Sequence, residues 1–219
     1  MVNDVGEEAK EAEVSPASSL GSNREILLER GLIAPAAPAT DNHTVPEEII
    51  AMSPDIQPVR PVDVEAIAAL AREIWQSAYA GIITQAQIDY MLAQRYNTAR
   101  LFEELGQSGY WWDQAFVDGV RVAFSSGYLT GVPGEIKLDK VYVHPMHQRS
   151  GIGGALIDGV IAHGRESGCD TLILAVNKQN AKAIGAYEKR GFVVRESVRV
   201  DIGGGFVMDD FIMARSIAQ

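Results

Sequence analysis

The stretch VHPMHQRSGIGGALIDGV, Val143–Val160, places Arg149, Gly151, Gly153 and Gly154 at the junction of two differently patterned segments. Before it, EIKLDKVYVHP (Glu135–Pro145) reads as a strand that Pro145 ends. After it, Leu156, Ile157, Val160 and Ile161 recur at the spacing of a helical face. Such a junction bares backbone N–H groups. Glycine lets a ligand approach the main chain closely, and the first turn of a helix carries unsatisfied donors and partial positive charge. The turn is therefore suited to receive an anion.

Upstream, YWWDQAFVDG (Tyr110–Gly119) and VRVAFSSGYLT (Val120–Thr130) read as a hairpin through Asp118-Gly119. Earlier still, IQPVR is a short strand candidate, and Asp63 is placed to cap a helix bearing Ile67, Leu70, Ala71, Ile74, Trp75 and Ala78. TQAQIDYML opens another helix, with Thr84 and Gln87 spaced as a capping box, and TARLFEELGQSG closes the helical part. Downstream, TLILAVN suits a strand buried on both faces and NAKAIGAYEKRGF a helix stopped at Gly191. FVVRESVRV, a flexible DIGGG and FVMDDFIMAR form a closing hairpin. There is no internal repeat.

Composition narrows the class of protein. The chain has 219 residues, 47% of them apolar, enough for one good core. Its single cysteine, Cys169, excludes an intrachain disulfide and fits a reducing, cytoplasmic setting. No apolar run approaches the roughly 18 residues of a membrane span, and no secretory signal pattern opens the chain. Of the net charge of −10, most belongs to the first 56 residues, where eleven acids face Lys10, Arg24 and Arg30. The remainder holds eighteen acids and sixteen bases, which argues against a nucleic-acid partner. Residues 1–55, acidic and rich in Pro and Ala, read as a disordered tail with one candidate helix in SNREILLERGLIAP (Ser22–Pro35). Residues 56–219 read as the folded domain.

Two common anion-binding turns fail on a residue that would contact ligand. A nucleotide P-loop needs Lys and a hydroxyl after its last glycine, where Ala155 and Leu156 stand. A dinucleotide fold needs a third glycine where Leu156 stands. QRSGIGG (Gln148–Gly154), by contrast, resembles the Q/R-x-x-G-x-G/A signature of the GCN5-related N-acetyltransferases. NAKAIGAYEKRGF (Asn180–Phe192) resembles the helix that follows it in that family, and the spacing between the two also fits. The resemblance covers Ile56–Arg215 and is similar, in IDYML and GFVMDDFIM, to bacterial small-molecule acetyltransferases, polyamine-acetylating members among them.

That resemblance implies an α/β fold: a mostly antiparallel mixed sheet of about seven strands, flanked by helices and splayed at one central parallel pair. It implies acetyl-CoA as co-substrate and a primary amine, polyamine-like or amino-acid-like, as acceptor. The pyrophosphate is expected at the N–H groups of Gln148, Arg149, Ser150, Gly151, Ile152, Gly153 and Gly154, and the pantetheine arm along Tyr142, Val143, Asn180 and Ala183. Tyr187 is expected to protonate the departing thiolate, and Tyr79, Trp112, Asp209 and Asp210 to lie near the acceptor, at most one of the two aspartates facing it. Glu135 and Asp139 read as solvated strand-edge charges, so no general base is assigned. His144 and His147 lack a further ligand beside them, and no metal is expected. A cofactor-binding regulator and a peptide N-acetyltransferase are the alternatives; a homodimer and a protein partner for the tail stay open.

Overall fold

The computed structural model describes residues 54–218. Residues 1–53 of the tail, with the helix expected at Ser22–Pro35, lie outside the described residues, and its last residue, Asp55, already opens β1. The elements run β1 (Asp55–Pro58), α1 (Val64–Ala78), α2 (Gln85–Arg95), α3 (Thr98–Gly106), β2 (Tyr110–Val117), β3 (Val120–Leu129), β4 (Glu135–Val143), α4 (Ile152–Glu166), β5 (Thr171–Asn177), α5 (Ala181–Glu188), β6 (Val193–Gly203) and β7 (Phe206–Ser216). Short 3-10 turns precede α1 and α4.

The seven strands form one sheet in the order β1-β2-β3-β4-β5-β7-β6. Every neighbouring pair is antiparallel except β4–β5. This is the mixed, mostly antiparallel architecture expected from the motifs. Asp118 and Gly119 both take positive φ, 52° and 75°, the twist-matching hairpin turn that their pairing predicts.

Each face of the sheet buries its own layer. On one side Ile67, Ile74 and Trp75 of α1, Ile88 of α2 and Leu101 of α3 pack with Trp112 and Phe124. On the other, Ile157, Val160 and Ile161 of α4 cover Ile136, Leu138, Leu172, Leu174 and Met213. Helix α4 rests almost on the backbone of β3: a Cβ at Gly127 would meet Val160 Cγ1 at 2.6 Å.

One irregularity in β4 decides what each face presents. Ser126 pairs with Lys140 but Gly127 pairs with Leu138, so Asp139 is the extra residue of a β-bulge. Ile136 and Leu138 therefore point to the α4 side, whereas Lys140 and Tyr142 point to the α1–α3 side. Asp139 and Glu135 are not solvated edge charges. Asp139 is held by Arg95 of α2 and by Lys140, and Glu135 by Arg195 of β6, so both carboxylates are paired instead of left to solvent.

Three local expectations give way to tertiary contacts. Thr84 Oγ1 accepts from Gln87 N–H at 3.2 Å, but the Gln87 side chain donates to Val207 C=O, at 3.1 Å, instead of closing the capping box. The DIGGG turn is pinned: Tyr90 Oη donates to Ile202 C=O at 2.8 Å, and its ring lies against Gly204. Asp63 makes no cap bond to α1. Its carboxylate instead accepts from Arg60 (backbone N–H 3.0 Å, Nε 3.1 Å), Gln114 Nε2 at 3.0 Å and Arg121 Nη2 at 2.8 Å, tying the start of α1 to β2 and β3.

The Arg60 hydrogen bond holds the Asp63 carboxyl at about 2, below the 3.8 of a free side chain, against the opposing effect of burial. A depressed folded value means that its stabilisation is present above about pH 4 and lost as the pH falls through about 2. Asp63→Asn should lower stability at neutral pH by about 1–3 kcal/mol. Between pH 4 and 2 the parent should lose more of its melting temperature than the variant; equal losses by calorimetry would remove Asp63 from the acid response.

Candidate active site

The parallel pair β4–β5 is laddered only from Glu135–Leu138 against Thr171–Leu174. Beyond that level the strands part, although β4 continues to Val143 and β5 to Asn177. Ala175, in the middle of an inner strand, is exposed as a result. A sheet interior with open backbone edges can take an extended ligand as if it were a further strand.

The glycine turn closes the wide end of this gap. Arg149 and Gly151 are left-handed, at φ 64° and 86°. In Arg149 that conformation costs about 1–2 kcal/mol. The first intrahelical bond observed runs from Ala155 N–H to Gly151 C=O, at 3.0 Å, so the N–H groups of Ile152, Gly153 and Gly154 lie beyond the reach of the helix's own carbonyls. Of the three glycines Gly151 is the one whose backbone requires it, at positive φ and bordering open space; a Cβ at Gly153 would make an ordinary contact with Val143 Cγ2 at 3.5 Å, and one at Gly154 would meet the movable end of Arg190, Nη1 at 2.7 Å. Gln148 Nε2 donates to Val143 C=O at 3.2 Å, and Lys182 of α5 donates to Gln148 Oε1, so one rim joins β4, the turn and α5. Ser150 Oγ donates to His147 C=O at 2.6 Å and braces the same loop.

Helix α5 forms the opposite wall. Asn180 caps it, Oδ1 accepting from Ala183 N–H at 3.1 Å, which leaves Nδ2 for another partner. Ala183 and Tyr187 lie on its inner side against the core. Tyr187 packs edge-on to Phe192, 5.7 Å between centroids. Burial, reinforced by Tyr79, raises its hydroxyl above the ordinary tyrosine value and keeps it protonated. Across the gap Tyr79 Oη and Tyr142 Oη lie 3.0 Å apart, both raised mainly by burial, beside Trp75.

The paired aspartates separate as strand alternation requires. Asp209 faces outward to Lys178. Asp210 turns inward on the α1–α3 side, 8% exposed, with Oδ1 free of any hydrogen bond among the described residues. Burial and the adjacent Asp209 raise its carboxyl. Trp112 is not brought to the gap. It is 4% exposed in the core, 5.9 Å from Phe124 and stacked on it, with Lys140 Nζ 4.8 Å over its ring. His144 pairs with Glu73 at 2.9 Å, and among the described residues no cluster has the makings of a metal site.

A row of alternating charge runs back from the bulge. Arg95 meets Asp139 at 2.7 Å; Asp139 meets Lys140; Lys140 meets Glu104 at 2.9 Å; and Glu104 meets Arg100 at 2.9 Å. Burial works against the Asp139 carboxylate, but Lys140 and Arg95 hold it well below its usual range. The row borders a polar cavity of about 890 Å³ between α2–α3 and β2–β4. The sequence carries a signal for it: the apolar phase of β4 runs through Ile136 and Leu138, then resumes at Val141 and Val143, one residue out of step.

The profile of the Acetyltransferase (GNAT) family matches residues 68–192, which span the helix layer, the glycine turn and α5. A spermidine N(1)-acetyltransferase of Thermoplasma acidophilum is 26% identical over 162 residues, 72% of this chain and 97% of that protein. A probable N-acetyltransferase of Mycobacterium tuberculosis is 27% identical over 63% of this chain and 78% of its own length. Among solved structures, the PaiA N-acetyltransferase of Thermoplasma acidophilum in complex with coenzyme A superposes with a TM-score of 0.65 at 26% identity, over 75% of this chain and 99% of that one.

Lys140, 2% exposed, holds two carboxylates at the bulge. Lys140→Met should therefore cost about 2–4 kcal/mol, read as a lower denaturant midpoint. Adding Glu104→Gln should recover part of that loss, because the two sites share a partner. Strict additivity of the two changes would show that the pair is uncoupled.

Proposed function

The chain belongs to the GNAT acetyltransferase family, and we propose that it transfers the acetyl group of acetyl-CoA to the primary amine of a small molecule. The observation that carries this reading is the meeting, in one cleft, of the bare N–H turn at Arg149–Gly154, the unladdered edges of β4 and β5, and the protonated Tyr187. The residues fit the co-substrate. Open space at Gly151 admits a pyrophosphate to the helix N-terminus, and the charge of Arg149 complements it. The backbone at Tyr142 and Val143 and the Asn180 amide suit the amides of the pantetheine arm.

Acetyl-CoA supplies the activated thioester; the chain supplies position and protons. Tyr187, raised by burial, keeps its proton at neutral pH and can give it where negative charge builds on sulfur. The packed rings of Trp75, Tyr79 and Tyr142 give the helix side of the gap an apolar lining. The acceptor approaches from the side of Asp210 and the polar cavity. A polyamine is one candidate acceptor, supported by the relative named for spermidine, and an amino-acid-like amine is another. A cytoplasmic setting belongs to the same proposal, supported by Cys169, buried as a free thiol. Among the described residues no helix is long and apolar enough to cross a membrane.

Tyr187→Phe keeps the ring against Phe192 and removes one hydroxyl. Turnover should fall about 10-fold or more, at least as much in kcat as in kcat/KM for the amine, with acetyl-CoA affinity nearly unchanged. A phenylalanine variant as fast as the parent, where chemistry limits the rate, would make Tyr187 a packing residue. Gly151→Val forces a β-branched residue into φ 86°, and calorimetry should show acetyl-CoA bound at least 10-fold more weakly by a still cooperative fold. Unchanged affinity in that variant would move the pyrophosphate away from the turn.

A further inference from the structure

The acceptor side of the cleft carries two charges, one of each sign, that no ion pair among the described residues neutralises. Along the wall of the polar cavity the carboxylates are satisfied: Asp139 by Arg95 and Lys140, Glu104 by Arg100 and Lys140, and Glu103 by Arg100 at 3.2 Å. Lys137, half-buried in the same wall, is not. Among the described residues no carboxylate lies within 4.0 Å of it, and its ammonium has only the face of Tyr128, 5.7 Å away. Counted with Lys140, which lies buried behind the lining, the four cations of this network outnumber its three carboxylates by one. A second cation placed there would meet repulsion, whereas a carboxylate would complete the accounting.

Asp210 is the converse. It faces the same side of the sheet as Lys137, at the open end of the β5–β7 pair opposite Asn177. It forms no salt bridge among the described residues, and Oδ1 is buried without a hydrogen bond. A buried carboxylate left in this state is costly unless a donor arrives. The register sets Lys137 opposite Ile173 and Ile173 opposite Ala214, so Asp210 lies two strands away and four residues further along the same face.

Resting on the reading of this cleft as an acetyl-transfer site, we propose that the acceptor is a zwitterion, a primary amine bearing a carboxylate in the manner of an α-amino acid, with its ammonium received by Asp210 and its carboxylate by Lys137. Arg95 keeps N–H groups beyond the one given to Asp139 and supports the carboxylate end. A polyamine would satisfy Asp210 with one ammonium and bring the next toward Lys137. The protein therefore selects by the second charge as much as by the amine.

The test measures initial acetyl transfer by the full chain to the common L-amino acids, to the amines that remain when each loses its carboxylate, and to spermidine. The best amino acid should exceed both its decarboxylated partner and spermidine by 10-fold or more in kcat/KM. Lys137→Met should collapse that ratio toward one, chiefly through KM, and Lys137→Arg should restore it. Preference for spermidine or for the carboxylate-free amines, or a ratio indifferent to Lys137→Met, would overturn the zwitterionic acceptor while leaving acetyl transfer standing. Transfer to no amine of either series would remove the acetyl-transfer reading itself and this proposal with it.

Discussion

The extra residue in β4 is the constraint from which the cleft follows. A strand without it would keep alternating, so that Ile136, Leu138, Lys140 and Tyr142 shared one face and Lys140 was driven into the apolar layer under α4. With Asp139 inserted, the strand gives Ile136 and Leu138 to that layer and then turns Lys140 and Tyr142 to the other side. The β4–β5 ladder stops at the same level, at Leu138 and Leu174. The bulge and the opening of the sheet are thus two aspects of one bend, and a bulged strand twists away from its neighbour for this reason.

Such a bend leaves polar groups in the interior, and the charge row around it answers that need. Lys140 and Asp139 are adjacent in sequence and on the same side, so each is the other's nearest counter-ion. Glu104 from α3 and Arg95 from α2 extend the pairing into the helix layer. Buried pairs of this kind add little net stability over an apolar core, but they make the geometry specific, since moving either helix would strand a charge. The aromatic set Trp75, Tyr79, Tyr96 and Tyr142 does comparable work beside it with ring contacts.

Much of the frame was legible in the chain. The hairpin at Asp118-Gly119, α4 behind the glycine turn, the buried strand TLILAVN and the helix from Asn180 all rest on short-range chemistry: turn dihedrals, helix periodicity and capping. The glycine turn pointed correctly to a helix N-terminus facing open space. Residues whose roles depend on distant partners are less legible. Asp139 and Glu135 looked like solvated edge charges, Gln87 like half of a capping box and Trp112 like part of the acceptor wall; each is claimed instead by a contact from another element, Asp139 by Arg95 of α2 and Gln87 by Val207 of β7.

By itself, then, the sequence determined the order and kind of the elements, the glycine turn ahead of α4 and the helix bearing Asn180 and Tyr187, because those depend on residues within one or two turns of each other. The tertiary structure alone decided which face of β4 carries which charge, which aspartate of the pair at 209 and 210 turns inward, and that Lys137 and Asp210 share one side without neutralising each other. The reason is physical. A bulge shifts every later side chain to the opposite face, and whether a charge is paired depends on the strands and helices that surround it.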